Sequence, residues 1–232
     1  MLRVALSEAE GRVPSPGIEV PFPPVTERPR RLSMLRSYTP ADGLTLANAS
    51  CGTISIFLCL AYIDDQRSAQ LWAAFVLPLA ALAFDVLDGY VARLHPRRQS
   101  VIGGDLDSLA DIVSFGVAPA VLGYTLGLRG VWDVVCLTWF VCCGISRLAR
   151  FNATSAALTN VATGKVRYFE GTPIPTSVVL VLVLAVLYGL ELTGADLWLG
   201  EWRVGGRAFH PLSTLYVISG SLMISTIRIP KP

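Results

Sequence analysis

Apolar and polar residues alternate along the chain in long blocks, and from residue 44 onward six apolar runs are separated by shorter polar stretches. About 20 apolar residues span a bilayer, so each run predicts a membrane-crossing helix, although the third and fourth reach that length only with flanking polar residues. The pattern predicts an all-α, polytopic membrane protein with six transmembrane helices. The runs cover residues 44–62, 71–84 continuing toward 92, 112–128, 134–146, 173–190 and 209–227.

The N-terminal segment lacks this pattern. It holds many of the prolines and several arginines, and it shows no apolar periodicity, which is typical of mobile segments. It also lacks the apolar core of a secretory signal peptide. We therefore predict a mobile cytoplasmic arm over residues 1–31 and a six-helix membrane domain over residues 32–232.

Composition favours a membrane location. The 232 residues are 53% hydrophobic and 16% charged, whereas soluble domains carry about 25% charged residues. The net charge of +2 is too balanced for nucleic-acid binding through bulk charge. With six spans both termini share one side, and 15 of the 19 Lys and Arg residues fall there. The positive-inside rule therefore predicts that both termini are cytoplasmic.

Cysteines and histidines form no recognisable ligand pattern. All five cysteines fall in predicted spans without CxxC spacing, and we interpret them as small apolar packing residues. His95 and His210 have no histidine or cysteine at ligand spacing, so we interpret both as structural or incidental. Trp198 and Trp202 precede the last run and resemble interfacial anchors.

Four aspartates stand at the predicted cytoplasmic ends of the second and third spans: Asp85, Asp88, Asp107 and Asp111. Charged groups at membrane depth are costly and usually functional. The first two are spaced i, i+3 and the last two i, i+4, so each pair projects from one face of its helix. Four converging carboxylates would repel one another without a cation, and Mg2+ and Mn2+ prefer oxygen ligands. The spacing predicts a site for a pair of divalent metal ions.

The neighbouring residues extend this prediction. Gly89 follows Asp88, and Gly103 lies four residues before Asp107, so a ligand could approach the backbone at both points. Arg93 supplies a positive charge. Metal ions that bridge phosphates, with an arginine to balance the remaining charge, are the apparatus of phosphoryl-group transfer. Asp105 lies on another helix face, and we interpret it as a solvent-facing or capping residue.

These residues form the pattern Asp85-x2-Asp88-Gly89-x2-Ala92-Arg93 followed by Gly103-x3-Asp107-x3-Asp111. The pattern resembles the signature of the CDP-alcohol phosphotransferase family. Two departures stand out. Nine residues separate Arg93 from Gly103, one more than in the family pattern, and Tyr90 stands where arginine is expected. The extra residue lies in the loop, where we expect an insertion to be tolerated.

Further segments resemble the fungal phosphatidylserine synthase branch of that family, and the likeness runs from about residue 32 to the end. This resemblance implies a membrane catalytic domain with the six-helix CDP-alcohol phosphotransferase fold, a homodimer in the endoplasmic reticulum, and a site open to the cytoplasm. It implies CDP-diacylglycerol and L-serine as substrates, with Mn2+ or Mg2+, two ions per site. The segments are SLADIVSFGVAPA at 108–120, RLARFN at 147–152, YFEGTPIPT at 168–176 and RIPKP at 228–232.

The resemblance also implies a role for each residue of the pattern. Asp111 would be the general base for the serine hydroxyl. Asp85, Asp88 and Asp107 would be the main metal ligands, with Asp111 near the second ion. The residues implied in CDP binding are Asn48, Asp88, Gly89, Ala92, Arg93 and Gly103.

A pocket for serine needs a cation for its carboxylate, and arginine binds a carboxylate through two parallel hydrogen bonds. Arg147 and Arg150 close the fourth span three residues apart, and the resemblance implies that this segment binds serine, with Phe151 and Asn152 completing the wall. Glu170 is a weaker candidate for the serine ammonium. By spacing alone, both arginines could equally be positive-inside anchors that contact lipid headgroups.

Two other functions use the same residues. The first is the same chemistry with another alcohol acceptor, such as inositol, glycerol phosphate, ethanolamine or choline, against which RLARFN and YFEGTPIPT argue. The second is a divalent-cation transporter or channel, since intramembrane carboxylates also occur there. Such a pore would not need Gly89, Ala92 and Arg93 beside its acids.

Overall fold

The computed structural model describes residues 39–94, 102–159, 168–225 and 228–230, all within one unit, Ser37–Pro232. The predicted arm over 1–31 and His95 lie outside these residues. Within them the chain forms six main helices, of which α3, α5 and α6 contain non-α turns. They are α1 (Pro40–Asp65), α2 (Ser68–Leu94), α3 (Gly103–Leu126), α4 (Val131–Thr159), α5 (Ile174–Gly189) and α6 (Pro211–Met223).

The predicted all-α class is confirmed. Four of the described helices are long and apolar enough to cross a membrane: α1, α2, α3 and the first 23 residues of α4. The short apolar helices are α5 and α6, whereas the sequence pattern led us to expect the short ones at the third and fourth positions. The reason is that α3 begins at Gly103, well before the apolar run at 112, and thus includes polar residues.

Helix α1 begins with a hydrogen-bonded capping box. The Thr39 hydroxyl accepts from the Asp42 backbone N–H at 3.3 Å, and the Asp42 carboxylate accepts from the Thr39 N–H at 2.7 Å. Pro40 occupies the first helical position, where its missing N–H has no intrahelical partner to lose. These local interactions fix where the first helix starts.

Helix α3 changes its winding directly after Asp111. Residues Ile112–Val117 form a π-helical segment, in which the Ala118 N–H donates to the Val113 carbonyl five residues back. Pro119 has no N–H and cannot donate to the carbonyl four residues before it, and the wider turn precedes this proline. Such segments are frequent at functional sites.

The helices pack around α3. Helix α1 lies along α2 and α3, while α6 packs on α4. Tyr216 of α6 is buried, donates its hydroxyl to the Pro119 carbonyl at 2.7 Å, and meets the Phe140 ring edge-on at 5.3 Å between centroids. The close approach depends on Gly123, because a Cβ there would lie 2.6 Å from the Tyr216 hydroxyl.

Short antiparallel strands join the helices. Strand β1 (Tyr168–Glu170) pairs with β4 (Arg228–Pro230), and β2 (Trp202–Val204) pairs with β3 (Arg207–Phe209). The sequence pattern did not predict them. Trp198 and Trp202 are exposed near the β2–β3 hairpin, which is compatible with the predicted interfacial role.

A buried Asp133–His210 pair ties this hairpin to α4. One Asp133 oxygen accepts from the His210 backbone N–H at 2.8 Å, and the other lies 2.6 Å from His210 Nδ1 and accepts from the Gly130 N–H at 2.9 Å. The Asp133 side chain is fully buried. The interpretation of His210 as structural agrees with this geometry.

Replacing Asp133 by alanine is expected to destabilise the fold, because buried donors left without an acceptor cost about 1–3 kcal/mol each. We expect the Tm of the detergent-solubilised Asp133→Ala protein to fall by several degrees. Glu201→Ala is the control, because Glu201 pairs with Arg203 at the exposed surface. Equal Tm values for the two variants would contradict a structural role for Asp133.

Candidate functional site

Three of the four predicted metal ligands converge. Asp85 of α2 and Asp107 and Asp111 of α3 each offer a carboxylate oxygen, and these oxygens all lie within 4.8 Å of one another. Asp111 is buried, while Asp85 and Asp107 are half-buried. The i, i+4 spacing therefore directs both α3 carboxylates toward α2, as predicted.

One face of α1 supplies hydrogen bonds to Asp88 and Asp111. Thr45 donates to Asp88 at 2.7 Å, and the Asn48 amide donates to Asp111 at 3.1 Å. Ser114, in the π-helical segment, donates to the backbone carbonyl of Asn48 at 2.8 Å. All three donors are buried. Helix α1 thus connects both aspartate-bearing helices.

Gly52 allows α1 to approach α3 this closely. A Cβ on Gly52 would lie 2.7 Å from the Ser114 Cα, a backbone atom that no side-chain rotation can move away. Small residues allow membrane helices to pack backbone against backbone. The contact keeps Asn48, one turn earlier, beside Asp111.

Asp88 occupies a separate position. It is buried and hydrogen-bonded to Thr45, and it is not part of the three-carboxylate cluster within the described residues.

The residues that follow Asp88 on α2 are more open. A Cβ on Gly89 would meet no atom within 4 Å, and Ala92 and Arg93 are exposed. Gly103 is half-buried at the start of α3. The predicted CDP-binding residues of α2 thus follow the cluster toward the helix end.

The cluster has no ion-pair partner in the described part of the chain. No Lys, Arg or His there lies within ion-pair distance of these aspartates; the ion pairs involve Asp65, Glu201 and Asp133. The Asp107 Oδ1 atom is buried and finds no hydrogen-bond donor among the described residues. Uncompensated carboxylate oxygens at this spacing fit a divalent cation such as Mg2+ or Mn2+.

The two candidate arginines differ. Arg147 is half-buried, interacts electrostatically with Asp111, and its Nε is buried without a hydrogen-bond partner in the described residues. Arg150 and Phe151 are exposed. Arg147 is therefore the arginine on the cluster side of α4. The Glu170 side chain lies outside what the structure describes.

Asn152 contacts α3. Its carbonyl oxygen accepts from Ser108 at 3.1 Å, and its amide donates to Asp105 at 3.4 Å. Asp105, which we interpreted as solvent-facing or capping, is exposed. It also takes part in this interhelical contact. Asn152 therefore connects α4, which carries the candidate arginines, to α3, which carries two aspartates of the cluster.

Sequence reasoning missed Thr45, Gly52 and Ser114. Thr45, Asn48, Gly52 and Ser55 are spaced i, i+3, i+7 and i+10 within an apolar run, and that helical period of small and polar residues marks a buried polar face. Ser114 carries no comparable signal, because its orientation depends on the π-helical segment.

A comparison with protein-family models matches residues 38–206 to the CDP-alcohol phosphatidyltransferase model. The match includes every residue of the aspartate cluster and of the α1 face that contacts it.

Curated relatives carry serine-specific names. The chain is 41% identical over 210 residues to the CDP-diacylglycerol–serine O-phosphatidyltransferase of Saccharomyces cerevisiae, covering 89% of this chain and 76% of the relative. It is 38% identical over 186 residues to the enzyme of the same name from Helicobacter pylori, covering 76% and 68%. It is 39% identical over 142 residues to the archaetidylserine synthase of Methanothermobacter thermautotrophicus, covering 60% and 54%.

The packing of α1 on α3 can be tested with two glycines of α1. Gly52→Ala is expected to lower the Tm of the solubilised protein, because its Cβ would collide with the Ser114 backbone and overpacking costs about 1–3 kcal/mol. Gly43→Ala is the control, because a Cβ there meets no atom within 4 Å, and alanine favours a helix by about 1 kcal/mol over glycine. A Gly52→Ala protein as stable as Gly43→Ala would disprove the close contact.

Proposed function

The chain belongs to the CDP-alcohol phosphatidyltransferase family, and from this membership we propose that it transfers the phosphatidyl group of CDP-diacylglycerol to the hydroxyl of L-serine, which yields phosphatidylserine and CMP. The observation that carries the proposal is the aspartate cluster with Arg147 beside it. The names of the curated relatives support serine as the acceptor.

Asp85, Asp107 and Asp111 would hold divalent metal, with Asp88 completing the ligand set for a second ion. Mg2+ or Mn2+, two ions per site, would balance the charge that develops on the phosphates during transfer. The support from this chain is the set of convergent carboxylate oxygens, one of them buried without a donor among the described residues.

Asp111 would accept the proton of the serine hydroxyl. Asn48 donates to its Oδ1 and would orient the carboxylate for this role. The hydroxyl oxygen forms a bond to the phosphorus that carries diacylglycerol, the bond from that phosphorus to the CMP oxygen breaks, and CMP leaves. Because an aliphatic hydroxyl is a much weaker acid than a carboxylic acid, this proton transfer needs a positive charge close to the hydroxyl, which the divalent ions would supply.

The donor nucleotide would lie along the end of α2. Gly89 leaves space beside the backbone, and the exposed guanidinium of Arg93 is available for a phosphate. Asn48, Asp88, Ala92 and Gly103 would line the rest of this pocket. The diacylglycerol chains would remain in the bilayer, beside the apolar outer surface of α2.

Arg147 would bind the serine carboxylate. Its Nε has no hydrogen-bond partner among the described residues although it is buried, and a guanidinium binds a carboxylate in a bidentate manner. Arg150, Phe151 and Asn152 would form the outer wall of the same pocket.

The protein is an integral membrane protein, as its family membership and four long apolar helices indicate. We propose that the site and both termini face the cytoplasm, on the basis of the uneven distribution of basic residues. We also propose that the protein resides in the endoplasmic reticulum and assembles as a homodimer. Residues 32–232 would be the catalytic domain, preceded by the N-terminal arm over residues 1–31.

The function is tested with the purified protein, CDP-diacylglycerol and labelled acceptors. We expect EDTA-sensitive incorporation of L-serine into lipid, with a loss of about 100-fold or more in Asp111→Asn, the usual contribution of a general base. Asp64→Asn, an exposed position at the far end of α1, should retain activity.

Two outcomes would contradict this function. A lipid product with inositol, ethanolamine or glycerol 3-phosphate, and none with serine, would refute serine as the acceptor. Metal flux into liposomes without any lipid product would favour a transporter.

The acceptor pocket is tested by Arg147→Lys, with Arg67→Lys at the exposed surface as the control. Lysine retains the charge but loses the bidentate geometry. We expect Arg147→Lys to raise the KM for serine about tenfold or more, in line with the 1.5–3 kcal/mol of a hydrogen bond to a charged group, and to leave the KM for CDP-diacylglycerol unchanged. An equal effect of both variants on the KM for serine would refute the assignment of Arg147.

A further inference from the structure

We propose that Thr45 is a positioning residue that holds Asp88 in the orientation in which it binds metal. This inference rests on the proposed function, because it assumes that the aspartates bind a divalent cation. Thr45 belongs neither to the aspartate pattern nor to the residues expected to bind substrate. It lies on α1, whereas all four aspartates lie on α2 and α3.

The bond between Thr45 and Asp88 is short and shielded from water. The Thr45 Oγ1 lies 2.7 Å from Asp88 Oδ2 and 3.1 Å from the Ala41 carbonyl oxygen. A hydroxyl has one proton to donate, and the shorter distance and the charged acceptor favour Asp88. Thr45 is 4% exposed and Asp88 is 7% exposed, so water does not readily replace this donor.

The bond fixes the direction of the Asp88 carboxylate. Thr45 donates to Oδ2, so that oxygen is turned toward α1. Asp88 stands apart from the cluster of Asp85, Asp107 and Asp111 in the described residues, although it follows Asp85 by nearly one helical turn. A carboxylate held in this way binds metal through one oxygen in a fixed direction.

The negative charge of Asp42 makes the orientation of Asp88 depend more strongly on the Thr45 hydroxyl. Asp42 is 3% exposed in the first turn of α1, and its negative charge interacts with that of Asp88. Without the Thr45 hydroxyl, Asp88 would lose a buried donor while still facing this repulsion, and its side chain would rotate. Groups that orient metal ligands by hydrogen bonds typically contribute 10–100-fold to metal affinity.

Thr53 offers a matched control on the same helix. It donates to the carbonyl four residues back, that of Ala49, at 2.9 Å, as Thr45 can donate to that of Ala41. Thr53 is exposed, however, and it has no hydrogen bond to an aspartate among the described residues. A substitution at Thr53 therefore removes the same kind of hydroxyl from α1 without touching the site.

The test measures Mn2+ binding directly, by the loss of the electron paramagnetic resonance signal of free Mn2+ on titration of the solubilised protein. We expect Thr45→Val to weaken Mn2+ binding about tenfold or more, Thr45→Ser to bind close to the wild-type level, and Thr53→Val to bind as the wild type does. Serine keeps the hydroxyl, so its rescue separates the hydrogen bond from packing.

Unchanged Mn2+ affinity in Thr45→Val would overturn the role of Thr45 while leaving the proposed function intact. If Thr45→Val gives no monodisperse peak in size-exclusion chromatography, Thr45→Ala replaces it, and unchanged affinity there overturns the role equally. A wild-type protein that binds no Mn2+, and resembles Asp107→Asn in the titration, would refute the metal centre itself and this inference with it.

Discussion

The structure depends on how three carboxylates are kept together at the ends of two membrane helices. Carboxylates close to one another repel, and at membrane depth they lose the hydration that would stabilise them. Asp85, Asp107 and Asp111 meet within 4.8 Å, and no described cationic side chain pairs with them. Such a cluster needs donors around it and a balance for its charge, and a divalent cation of the kind used in metal-dependent phosphoryl transfer would supply that balance.

Helix α1 meets the first of these requirements. It carries no metal ligand from the aspartate pattern, but its buried face donates to Asp88 and Asp111, and Ser114 anchors the π-helical segment to it. A face that is polar within an apolar helix can be buried only against other polar groups. The same contacts that align the aspartates therefore also determine how α1 packs, and Gly52 provides the short interhelical distance.

The two ends of the bundle have different physical characters. At the end where α3 begins, the polar groups include a buried carboxylate oxygen and a buried guanidinium nitrogen without partners in the described residues, which is typical of a site that awaits a ligand. At the other end, Asp133 receives three hydrogen-bonding contacts from Gly130 and His210. Asp133 and His210 stabilise the packing at their end, and the polar groups at the other end belong to the site for which we propose the chemistry.

The sequence by itself determined the six helical segments, the helix face of each aspartate pair and the family, because apolar length and i, i+3 or i+4 spacing are properties of a single helix. It could not predict that Asp88 bonds to Thr45 rather than joining the cluster, that Asn152 contacts Ser108 and Asp105, or that Arg147 is the inner arginine. Those outcomes depend on the depth and rotation of one helix against another, and a π-helical segment changes both. Only the tertiary structure decides them.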